Sequence, residues 1–273
     1  MRGSDWALLA LLALVFTPAL LTMAEVWSSV DHYSHGFFIP LFSAAAFHAS
    51  RKWLGPAGRD RRGEALIAAA LLVYAAGLLA GSATLQGFAF VGAVAGAVLR
   101  LWGPAGLRRL AFPVGFLIFM VPLPNSLITP LILWLQLVVT SLSVEVLQLF
   151  GVEVARVGNV LTLPNGEQLF VAEACSGITS LITLLPLGVL IAHFMERGWP
   201  RRLLIVAAVV PVAMLGNLLR VVLTSIAALH LGADIALGTL HEIAGLATFA
   251  MACLMLLGLV SLLRSRTESQ APS

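Results

Sequence analysis

Runs of about twenty apolar residues, separated by short polar stretches, set the pattern of this chain. A helix needs about 20 apolar residues, roughly 17–25, to cross a bilayer. Runs of that kind cover 6–24, 65–81, 84–102, 175–195, 203–230 and 242–263. The shorter run 36–50 reads as a further span, extended by Tyr33 and His35. The stretch 110–150 is apolar but carries Pro113, Pro122, Pro124 and Pro130, so it reads as a short segment, 111–123, followed by a helix, 126–150. In that helix Thr129, Gln136, Thr140 and Ser143 fall on one face, as suits packing at the outer surface or lining a polar cavity. None of these runs alternates as the strands of a membrane barrel do. Residues 151–173 do alternate, and Pro164-Asn165-Gly166 sits between two β-prone halves. That predicts a small external hairpin leading straight to Cys175.

Composition narrows the class. Of the 273 residues 60% are hydrophobic and 11% charged, against about 45–50% and about 25% in soluble domains. A soluble enzyme, a coiled coil and a disordered chain are excluded. The expectation is an all-α polytopic membrane protein of about seven or eight helices, a single domain over 1–273 with a polar tail at 264–273. Two cysteines make neither a disulfide framework nor a zinc ribbon. The net charge of +3 forms no basic stripe, so no nucleic-acid partner is expected.

Charge also orients the helices. Arg51, Lys52, Arg59, Arg61 and Arg62 share one loop, Arg100, Arg108 and Arg109 the next, and Arg197, Arg201 and Arg202 a third. Arg264 and Arg266 follow the last span; with Arg2 these are 14 of the 16 basic residues, and all can be cytoplasmic. Acidic residues such as Glu25, Asp31, Glu153, Glu167, Glu173, Asp234 and Glu242 mark the external connections. Residue 109 is then inside and 174 outside, so one of the two segments in 111–150 is expected to be re-entrant or interfacial. Arg156, on the hairpin, and Arg220 fall outside the cytoplasmic set. The first run is expected to be a retained helix rather than a cleaved leader, since it is long and Asp5 precedes it. Gly77/Gly81 and Gly92/Gly96 suggest close packing of two neighbouring helices, or only the small-residue bias of an Ala-rich membrane protein.

Few residues can carry chemistry in such a chain. Arg220 lies 17 residues into a run that starts near Leu203, about 26 Å up the helix. Asn217 precedes it by one turn on the same face. An amide and a guanidinium together suit a lined site better than a lipid anchor. Cys175 sits at the external end of its helix, where the dipole favours a thiolate. Cys253, about 18 Å deep, reads as a small hydrophobe. His241 opens the last span from outside. Nucleophile, cation and imidazole thus share one level, as thiol acyl transfer needs. Ser176 is expected to shape the helix start, and Glu173 to orient His241 or Arg220 or to solvate the hairpin. Glu145 and Gln148 belong to the outer end of their helix. His32 and His35, with His230, have donor chemistry, but no Cys or carboxylate stands at ligand spacing; capping, or substrate contact by His35, is the expected role, with no metal and no cofactor.

Glu173-Ala174-Cys175-Ser176-Gly177-Ile178 resembles the signature of the exosortase/archaeosortase family of membrane cysteine transpeptidases. Asn217-Leu218-Leu219-Arg220-Val221 looks like its Arg motif, and His241-Glu242 followed by Gly245 like its His motif. Tyr33-Ser34-His35-Gly36-Phe37 with Pro40, and Val121-Pro122-Leu123-Pro124, also resemble family segments. The resemblance covers about 30–250 and implies catalytic Cys175, Arg220 and His241. It further implies processing, at the external face of the inner or plasma membrane, of secreted proteins with a C-terminal sorting signal. That signal is a short motif such as Pro-Glu-Pro, a transmembrane helix and a basic tail. The acceptor would be an amine or hydroxyl, such as one on a lipid or glycan. The alternative reading of the residues alone is a transporter with Arg220, Asn217 and Glu145 lining a pathway, or a non-catalytic scaffold.

Overall fold

The computed structural model describes residues 3–55, 58–171, 177–232, 235–236 and 238–268, without the side chains of Trp53, 239–242 and 265–268. Its helices are α1 (Gly3–Ser29), α2 (Phe38–Ser50), α3 (Arg61–Leu79), α4 (Ala83–Arg109), α5 (Ala111–Phe116), α6 (Asn125–Leu149), α7 (Ile178–Met195), α8 (Trp199–Leu231) and α9 (Thr239–Glu268). Among the described residues seven helices are long and apolar enough to cross a membrane: α1, α3, α4, α6, α7, α8 and, over Ile243–Arg264, α9. The chain is a polytopic all-α membrane protein. It divides into two compact units, Met1–Asn125 and Ser126–Ser273.

In the first unit α3 and α4 form a tight antiparallel pair. The N-cap side chains Asp60 and Ser82 accept the first free amides of these helices. The pair closes because glycines let the backbones meet. A Cβ on Gly63 would stand 2.3 Å from the Arg100 amide nitrogen, and one on Gly96 2.8 Å from Ile67. Of the glycines singled out in the sequence, Gly77 and Gly96 sit at this contact, Gly92 is less crowded, and Gly81 turns the chain with φ +61°. Gly103 (φ 64°, ψ −171°) and Pro104 break α4, so its straight part ends at Trp102, the predicted limit.

The predicted span 36–50 takes a different form. A 3-10 helix over Asp31–Phe37 precedes α2, whose 13 residues extend only about 20 Å against a hydrocarbon core of about 30 Å. It packs beside the still shorter α5, of six residues. The chain after α5 tightens into a 3-10 helix over Leu117–Met120 and then runs extended, and its freed carbonyls are met by side chains. Trp27 Nε1 donates to Met120 O (2.9 Å), the Thr84 hydroxyl to Pro122 O (2.7 Å), and His35 Nε2 to Phe119 O (3.1 Å). The Tyr33 hydroxyl accepts from the Leu123 amide at 3.0 Å. Irregular backbone in an apolar layer needs such partners. The two outlying family-like segments are therefore one construction.

Arg100 is more than a marker of sidedness. Its side chain, 7% exposed, pairs with Asp5 at 3.0 Å and with Glu64 at 3.4 Å. Asp5 thereby ties the start of α1 to α4. Asp5→Asn is expected to cost about 3 kcal/mol, because it strands a buried guanidinium. Thermal unfolding in detergent measures this; unchanged stability would show that Glu64 and solvent suffice.

In the second unit α7 and α8 are antiparallel, and α9 packs on both. Leu184, Val209, Ala213, Ala252 and Leu256 form their shared core, with Cys253 packed against it as a small hydrophobe. At the far end Glu196 is 4% exposed between Arg201 (3.8 Å) and Arg264 (3.7 Å), while Arg202 Nε and Arg264 Nε donate to the last carbonyls of α7. Cations at a helix C-terminus are favourable.

The alternating segment forms three strands, not the two of the predicted hairpin: β1 (Ala155–Val157), β2 (Val160–Thr162) and β3 (Gln168–Phe170), antiparallel in that order. Pro164-Asn165-Gly166 makes the β2–β3 turn, with Gly166 at φ +84°. Gly158 (φ +63°) with Asn159 makes the other, a two-residue turn of the kind that wants Gly first. Leu161, Leu163, Leu169 and Val171 bury one face against Val139 and Leu147 of α6 and Val221, Val222 and Ala228 of α8.

At 33 residues α8 is about 50 Å long, more than a bilayer core requires, and its last third meets this sheet. The first half of α6 instead packs on Ile178 at the start of α7. On its predicted polar face Gln136, Thr140 and Ser143 are buried while Thr129 is exposed. The stripe packs on the sheet and on α6 itself: Gln136 Nε2 donates to Val171 O (3.2 Å) and the Thr140 hydroxyl to Gln136 O (2.6 Å).

Candidate functional site

Three helix segments meet in the second unit around two side chains of α8. Asn217, 3% exposed, lies directly on Gly177, the N-cap of α7. A Cβ on Gly177 would come within 3.2 Å of Asn217 Cβ and 3.3 Å of its amide nitrogen. Gly177 also holds φ +86°, a conformation other residues adopt only with strain. Three residues on, the Arg220 guanidinium lies over Gly245 of α9. A Cβ there would stand 2.9 Å from both Cζ and Nη2. Gly216 allows the same helices to close, since its Cβ would meet Thr248 O at 3.4 Å. Glycines at the starts of α7 and α9 are thus the surfaces on which the amide and the guanidinium rest.

These glycines stand beside the residues singled out from sequence. Gly177 follows Cys175 by two positions, and Gly245 follows His241 by four, one turn of α9 on the same face. Glu173, Cys175 and Ser176 lie outside the described residues, and so does the His241 side chain. The backbone of His241 is in the first turn of α9.

The approach to Cys175 is anchored from two sides. The carbonyl of Val171 accepts from Gln136 Nε2 and, at 3.3 Å, from Asn159 Nδ2, while the Val171 amide donates to Asn159 O at 2.9 Å. Asn159 was missed in the sequence reading, although its place after Gly158 is a turn signal. Thr224 was missed too. It is buried one turn beyond Arg220, and its hydroxyl has no hydrogen-bond partner among the described residues. Asn217, Arg220 and Thr224 make a polar line on an apolar helix, a spacing signal that was open to reading.

Other singled-out residues take structural places. His35 belongs to the first unit. Its ring is buried there, and Nε2 donates to the Phe119 carbonyl. The His32 ring lies tilted against that of Tyr33, with centroids 4.5 Å apart. Glu145, Gln148 and His230 are exposed. Arg156 is exposed and reaches Leu137 O at 3.4 Å. Among the described residues no group of three or more His, Cys, Asp or Glu gathers as metal ligands do.

A family model described as transmembrane exosortase matches residues 27–258, most of the chain. No curated protein and no solved structure gives a match.

Proposed function

Because this chain belongs to the transmembrane exosortase family, we propose that it is a membrane thiol transpeptidase or protease. Its substrates are secreted proteins with a C-terminal sorting signal, a short motif, a transmembrane helix and a basic tail. The single observation that carries the reading is the seating of Asn217 on Gly177 and of Arg220 on Gly245. That seating ties the helix after Cys175, the Arg220 helix and the helix of His241 into one layer.

The chemistry follows. The Cys175 thiolate attacks the scissile carbonyl carbon, and the C–N bond breaks as His241 gives a proton to the leaving amine. The substrate's helix and tail leave, and its upstream part stays as a thioester. An amine or hydroxyl on a lipid or glycan, or water, then attacks that thioester and gives its proton to His241, and Cys175 leaves as the thiolate. Arg220 supplies a positive charge that stabilises the thiolate or the oxyanion. Asn217 holds the start of α7, and Glu173 and Ser176 border the nucleophile. The distribution of 14 of 16 basic residues supports an external site, in the inner or plasma membrane.

The test is to trap the intermediate. With a reporter carrying such a signal and little acceptor, intact-mass spectrometry is expected to find the reporter fragment on Cys175, released by hydroxylamine. Processing without any thioester on Cys175 would overturn the mechanism.

A further inference from the structure

We infer that the outer edge of β3 is the docking strand for the substrate, which adds to the sheet as an extended peptide just before the cleavage point. This rests on the thiol-transpeptidase reading above and adds how the substrate is held.

The register decides which backbone groups are free. Leu161 faces Leu169, and the flanking bonds from Leu163 N to Glu167 O and from Val171 N to Asn159 O (both 2.9 Å) place the bonded pairs at the odd-numbered residues of β3. In an antiparallel ladder the alternate residues turn their N–H and C=O away. Gln168 and Phe170 therefore present two donors and two acceptors outward. Among the described residues none of these four groups has a hydrogen-bond partner. Both residues are exposed, Phe170 at 58%.

The opposite edge differs. There Arg156 alone turns its backbone groups outward, and it carries a charge. Charged side chains blunt an edge strand against pairing. Gln168-Leu169-Phe170 has no charge and no proline, so the edge nearer Cys175 is the unguarded one. Cys175 follows Phe170 by five positions, at most about 17 Å of chain. A five-residue strand laid along β3 covers about that length. Strand addition draws affinity from main-chain bonds.

Proline scanning of both edges tests this in the full-length chain in membranes. Phe170→Pro and Gln168→Pro each remove one outward N–H and leave the β2–β3 bonds intact. They are expected to lower reporter processing about tenfold or more. Arg156→Pro makes the same change on the other edge and is expected to stay within about twofold of the parent. Equal effects on the two edges, or none on β3, would overturn the inference. A photoreactive benzoylphenylalanine at Gln168, in a Cys175→Ala chain co-expressed with the reporter, avoids any folding defect of the prolines. It is expected to crosslink the reporter upstream of its transmembrane helix. A crosslink to a second copy of the chain alone, or none, would count against docking. The parent chain's thioester on Cys175 reports separately on the reading beneath: its absence would refute the chemistry, whereas its presence with indifferent prolines would refute the docking edge alone.

Discussion

Cys175→Ala, in the full-length chain at unchanged membrane abundance, is expected to abolish processing of a sorting-signal reporter. The loss should be on the order of 10⁴-fold or more, because removing a nucleophile leaves only the contributions of binding and charge. Cys175→Ser should fall nearly as far, since an alkoxide is far harder to form there than a thiolate. The result separates the function classes open at the level of residues. A transporter lined by Arg220 and Asn217, or a scaffold, would be indifferent to losing one thiol. Cleavage of the reporter is followed by immunoblot, with Cys253→Ala as comparator, since Cys253 packs in the core shared by α7, α8 and α9. Processing that persisted in Cys175→Ala would sink the thiol mechanism.

Much of the fold was legible because a membrane span is a question of length and polarity. The runs at 6–24, 84–102, 203–230 and 242–263 fall within helices of the structure, and 178–195 of the run 175–195 forms α7. What was not legible depends on partners distant in sequence. Hydropathy counted 36–50 as a span, but its N-terminal end winds as a 3-10 helix, where His35 and Tyr33 serve the backbone near residue 120. Charge counting put Arg100 among the topology markers, because nothing in the local sequence shows Asp5, 95 residues away. The first strand was lost for another reason. Three-residue strands are too short to show periodicity, and the signal lay in the Gly158-Asn159 turn. At the site, the shared face of Asn217 and Arg220 followed from helical spacing. The glycines beneath them did not, since a glycine shows its use only when another helix lies against it.

Arg220→Lys is expected to lower kcat/KM by about 10²- to 10³-fold, the scale of removing one fixed donor from an oxyanion site. An ammonium keeps the charge but loses the planar fork. Gly245→Ala probes the same group without touching it. The added methyl carbon would stand 2.9 Å from Cζ and Nη2 of Arg220, too close for either to stay. The guanidinium is the free end of a long side chain, so it yields more readily than backbone. Alanine also favours helix over glycine by about 1 kcal/mol, so thermal stability should be unchanged or slightly higher. Activity should nevertheless fall about tenfold or more, since a displacement near 1 Å can cost as much as 10²-fold. The two changes act through one guanidinium, so the Gly245→Ala/Arg220→Lys double variant should be little worse than Arg220→Lys alone. Additive losses in kcat/KM would mean that Gly245 matters for some reason other than Arg220. Full activity in Gly245→Ala would mean that catalysis does not depend on where this guanidinium is held.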